Sequence, residues 1–89
     1  MNMHEFSLIN DLMRKLEAIA SMHHTQRILG VKIKLGALAH ISPDHFREHF
    51  VQATCGSSAE GARLEIEVLT DITDRHAQEV TLDSVEIED

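Results

Sequence analysis

Five segments of this chain alternate apolar and polar residues with a regular period, two of them with the period of a helix. Leu8, Leu12, Leu16, Ile19 and His23 recur at three- and four-residue steps, and Ile9, Met13 and Ala20 widen the stripe. Asp11, Arg14, Lys15 and Glu17 fall on the other side, so an amphipathic helix is predicted here. A second helix is predicted from Ser42-Pro43, because serine caps free N–H groups and proline at the first helical position has no donor to lose. Phe46, Phe50 and Ala53 form its inward face, Gly56 suits the left-handed residue that closes it, and Ser57-Ser58 continue into a turn.

The other three segments have period two. Leu29, Val31, Ile33 and Leu35 alternate with Gly30, Lys32 and Lys34 until Gly36 breaks the pattern. Ala62, Leu64, Ile66 and Val68 alternate with Arg63, Glu65 and Glu67. Near the end, Val85 and Ile87 alternate with Glu86 and Glu88, whereas Val80 and Leu82 have the opposite phase, which predicts a bulge near Asp83-Ser84. Lys32 and Lys34 are expected across from Glu65 and Glu67, or from Glu86 and Glu88, each pair contributing ~0.2–1 kcal/mol. Met3 to Phe6 is expected to add a short strand. Every strand is polar on one side, so one sheet face meets helices and the other meets water. The fold class is therefore α+β: a two-layer domain spanning residues 1–89, with a small mixed β-sheet of about three strands and two α-helices packed on one face. Thr70 to Gln78 is expected to be a flexible loop.

Composition narrows the functional classes. A formal charge of −7 argues against nucleic acid and anionic membranes, which both call for clustered Lys and Arg. No run approaches ~18 consecutive apolar residues and the start lacks a signal-peptide pattern, so a cytoplasmic protein is expected. With one cysteine, Cys55, neither an intramolecular disulfide nor a thiolate zinc site can be built, and Cys55 is expected to be a small packing residue. There is no nucleophile beside a base, no phosphate loop and no carboxylate pair at a suggestive spacing, so an enzyme is not expected.

Seven histidines against three aromatic rings turn attention to metals. His4 and Glu5 stand just ahead of the first helical stripe, where an imidazole, an α-amine and backbone amides supply the nitrogen donors that square-planar Ni(II) or Cu(II) prefers. His45 and His49, at i and i+4, share a helical face that can chelate a transition metal or simply face water; His40 lies shortly before them. His23 and His24 suit the negative end of the first helix dipole.

Met3-His4-Glu5-Phe6-Ser7-Leu8 resembles the opening of the HypA/HybF family, and the resemblance continues through Gly36-Ala37-Leu38, Ile41-Ser42-Pro43-Asp44 with Phe46 and Phe50, Ala59 to Ile66, and Ser84 to Glu88. It implies a metallochaperone carrying Ni(2+) as cargo at His4 and Glu5 for maturation of a nickel enzyme, foremost [NiFe]-hydrogenase. The implied partners are a hydrogenase maturation GTPase and the hydrogenase large subunit. Family members carry two Cys-x-x-Cys pairs that form a structural zinc module; here the loop at about 70–79 takes that place, so no structural zinc is expected, and His76 falls within it. In the family the methionine before the histidine supplies the terminal amine. A chain starting at Met3 keeps that chelate, whereas one starting at Met1 places the amine two residues away. A second function stays open beside the first: an interaction or regulatory protein that binds maturation partners without delivering metal. Exposed sheet edges also leave a homodimer open.

Overall fold

The structure, a computed structural model, describes residues 3–24 and 27–88, with the backbone alone at Met3 and His4. Its elements run α1 (Met3–Met22), β1 (Ile28–Leu35), α2 (Pro43–Ala53), β2 (Arg63–Val68) and β3 (Val80–Ile87). The sheet order is β2-β1-β3, with β1 parallel to β2 and antiparallel to β3. This is the expected two-layer α+β arrangement. Residues 3–6 depart from expectation: they are the first turn of α1 and not a strand. Phe6 leaves the apolar stripe and stays exposed, while Ile9, Leu12, Leu16 and Ala20 turn inward.

These four residues pack with Phe46 and Phe50 of α2 over Val31, Ile33, Leu35 and Leu64. Burying side chains of this size stabilises by ~1.5–3 kcal/mol each, which makes this layer the main source of cohesion. α2 begins as expected: the Ser42 hydroxyl accepts from the His45 N–H at 3.1 Å and Pro43 opens the first turn. At its other end Ala53 is exposed, and Thr54 is buried in its place. The Thr54 hydroxyl satisfies itself by donating to the Phe50 carbonyl at 2.9 Å. Gly56 has φ +77°, the left-handed conformation that reverses the chain after the helix.

Two irregularities set the sheet's register. Lys32 pairs with Ser84 and Ile33 with Leu82, leaving Asp83 as the extra residue of a bulge where the hydrophobic phase predicts one. A second shift at Leu29 brings Ile28, and not Leu29, fully into the core. On the open face Lys32 and Lys34 pair in register with Glu65 and Glu67, the first of the two expected arrangements. The bulge adds a partner the alternation did not disclose: Asp83 lies 3.8 Å from both lysine ammonium groups. Arg63 crosses the face from β2 toward Glu86 of β3 at 3.7 Å, and Gly30 makes room for it, since a Cβ there would stand 2.6 Å from its guanidinium.

The segment between β2 and β3 is a docked series of turns, which corrects the expected flexible loop. Asp71 accepts from the Thr73 N–H and hydroxyl at 2.9 and 2.6 Å, and Ala77 is buried. Gly36 and Leu38 donate to the Glu79 and Ala77 carbonyls at 2.9 and 2.7 Å, sewing the segment to the chain that leaves β1. Polar composition suits a free loop and a chain of Asx turns equally, and the absence of a side chain at Gly36 decides between them.

Candidate metal site

The first turn of α1 lies against the middle of α2. Helices that pack across a sheet bring distant positions together, and here they join Glu5 to His49: Oε2 of the carboxylate lies 3.4 Å from Nε2 of the imidazole. Their side chains keep 13% and 21% of their exposure, so the pair is largely withdrawn from water. One turn earlier on α2, the His45 ring stands edge-on to the His49 ring with centroids 6.1 Å apart. The pair opens on a groove of about 430 Å³ lined by Phe6, Ile9, Met13, Gln52 and Ala53 among others.

Of the two expected metal ligands, Glu5 therefore lies in a built setting, while the His4 side chain is outside the described residues. The backbone of His4 belongs to the first turn of α1, whose leading N–H groups have no acceptor within the helix. His49, read from the sequence as half of a helical histidine pair, is the residue that meets Glu5; no local pattern ties the two, because only the packing of α1 on α2 makes them neighbours. His40 is exposed in a left-handed turn with φ +58°. His76 bonds Glu79 at 2.7 Å within its own turn and takes no part in the groove. Cys55 is exposed, its thiol 3.4 Å from the Val51 carbonyl, which corrects the expectation of a packing role: the helix ends on Thr54 as its inward residue and turns Cys55 outward. Among the described residues no three His, Cys, Asp or Glu side chains already stand in coordinating positions, and no helix is long and apolar enough to cross a membrane.

The fold is that of a small α+β protein in which the head of the first helix meets α2 at the Glu5–His49 contact. Comparison with known proteins gives that class a family. Residues 3–86 match the family described as "Hydrogenase/urease nickel incorporation, metallochaperone, hypA", and the chain belongs to it. It is 39% identical over 67 residues to a hydrogenase maturation factor HypA from Desulfitobacterium hafniense, covering 75% of this chain and 59% of that protein. A hydrogenase maturation factor HypA from Methylocella silvestris is 37% identical over the same length and with the same coverage. The chain thus spans about 59% of the length of these relatives. The solution structure of the Ni metallochaperone HypA from Helicobacter pylori shares the fold, with a TM-score of 0.77, 17% identity, and coverage of 93% of this chain and 96% of that one.

Proposed function

We propose that this chain binds Ni(II) as cargo at the head of α1, through His4 and Glu5, and passes it to cytoplasmic partners that mature a nickel enzyme, foremost a hydrogenase maturation GTPase and the large subunit of [NiFe]-hydrogenase. The observation that carries this reading is the family match, which begins at Met3 and so takes in both residues. The helical backbone adds a requirement: successive N–H groups of α1 point along the helix axis and do not converge on one ion, and the positive end of the macrodipole opposes a cation. A square-planar chelate through backbone nitrogens therefore requires the first turn to unwind.

The test is a Ni(II) titration by calorimetry and absorbance, with circular dichroism in parallel, on chains beginning at Met1 and at Met3 and on the His4→Ala variant of each. Tight binding from Met3 that is lost in His4→Ala, with a drop in helicity of about one turn, is expected. Unchanged affinity in His4→Ala would refute the site. A second reading, partner binding without metal delivery, draws on the groove between α1 and α2 and the exposed Phe6 that lines it. Capture of the hydrogenase large subunit by wild type and His4→Ala alike, without nickel binding, would favour it.

A further inference from the structure

We infer that the outer edge of β2 is a docking site for an extended peptide strand of alternating basic and apolar residues, which adds to the sheet beside β2. Metal binding at the head of α1 plays no part in it. β2 is the last strand on its side of the sheet. The Leu69 N–H donates to the Leu35 carbonyl of β1 at 2.9 Å, so the odd-numbered residues of β2 turn their backbone groups to β1, and Leu64, Ile66 and Val68 turn theirs outward. Arg47 agrees with that parity: reaching over from α2, its guanidinium donates to the outward Leu64 carbonyl at 2.9 Å. Beyond it, Ile66 and Val68 meet no other strand among the described residues, and their N–H and C=O groups are the template that an added strand needs.

The side chains specify the occupant. On the helix side Ile66 is half-buried and Val68 is 54% exposed, so alternate apolar residues of the newcomer extend the core layer. On the open side Lys32 and Lys34 belong to the central strand and Arg63 leans inward over Gly30 toward Glu86, which leaves Glu65 and Glu67 as the outermost charges of β2. Carboxylates continue onto α2, where Asp44 and Glu48 line a shallow groove of about 390 Å³ together with Arg47 and Val51. Two glutamates at i and i+2 call for cations at the same spacing, because opposite charges across a strand pair attract and like charges repel. The same rule removes a second copy of this chain as the occupant: two antiparallel β2 strands paired about Ile66 would set Glu65 against Glu67 twice. β3, the other edge, is unsuited because its bulge at Asp83 inverts the phase and no regular strand matches both halves.

The probe is an acetylated and amidated hexapeptide of alternating Lys and Val, titrated into the full isotope-labelled chain and followed through the amide chemical shifts. Saturable shifts at the Ile66 and Val68 amides are expected, equal in wild type and His4→Ala, so the outcome is separate from that of the nickel titration. Glu65→Gln combined with Glu67→Gln, both at exposed positions, should weaken binding by about three- to tenfold. Arg47→Ala frees the Leu64 carbonyl, removes a cation from the edge and should tighten it. Methylation of the valine nitrogens blocks an antiparallel arrival and methylation of the lysine nitrogens a parallel one, so at least one of the two methylated peptides should fail to bind. Binding kept by both would mean charge attraction without strand addition and overturns the inference. Equal binding by a hexapeptide of alternating Glu and Val, shifts centred on β3, or no saturable shift up to about 10 mM peptide each overturns it as well.

Discussion

Asp11 shows how far single side chains on the surface of α1 reach. Its carboxylate meets Lys15 at 3.1 Å and Arg14 at 3.2 Å, one and the same residue facing both a full and a nearly full turn ahead. Hydrogen bonds from Lys15 first, then Arg14, hold its pKa below the ordinary carboxylate value of 3.8. A group with a depressed folded pKa stabilises the fold above its unfolded pKa and loses that contribution as pH falls through the folded one. The pair is about half exposed, so solvent screening keeps it small: Asp11→Ala is expected to cost about 0.3–0.5 kcal/mol at neutral pH. The difference from wild type should vanish as the pH is brought well below about 4. Urea unfolding of both proteins at two pH values checks it, and a constant difference would remove the ion pair as its cause. His4 and Glu5 were legible singly, as residue types that can serve as metal donors. The contact of Glu5 with His49 was not, because no periodicity links positions on different helices.

At the scale of elements, α2 is the best specified. Ser42, Pro43, Phe46, Phe50 and Gly56 each fix one feature of it through local chemistry, and the structure uses all of them as expected. Ser42→Ala removes the side-chain acceptor for the His45 N–H and is expected to destabilise by about 1 kcal/mol. Amide exchange at His45 should rise ahead of that at Phe50. Equal acceleration at both would mean that the cap acts on global stability alone. The first turn of α1 was harder to read. Met3 to Phe6 holds too few residues to distinguish two periods, and a carboxylate at Glu5 favours the positive end of a helix as readily as it suits an exposed strand. Strand phase was legible where a bulge interrupted it, since a bulge inverts the alternation at Asp83. It misled at Leu29, where Ile28 and Leu29 are both apolar and the shift left no inversion to see.

For the whole molecule, the decisive joint lies where β1 ends and the turns before β3 close on it. Gly36 lacks the Cβ that would stand 2.2 Å from the Ala77 carbonyl oxygen and 2.8 Å from that of Glu79. Gly36→Ala therefore forces the backbone apart and strains the two bonds that sew the segment down. A loss of about 2–3 kcal/mol is expected by urea denaturation, with faster trypsin cleavage after Arg75 under native conditions. Slow cleavage equal to wild type would show that the segment is held by its own turns and not by β1.

The sequence by itself determined the kinds and order of the elements, the two-sided sheet and the residue types available as metal donors. These follow from periodicity, caps and composition, which act over a few residues. Only the tertiary structure decided that residues 3–6 continue a helix, that the 69–79 segment is docked, and that Glu5 faces His49 across α1 and α2. Each of those depends on which surfaces the core brings together, and a carboxylate and an imidazole separated by most of the first helix, a strand and half of another helix become neighbours only when burial of Leu12, Leu16, Phe46 and Phe50 fixes the distance between them.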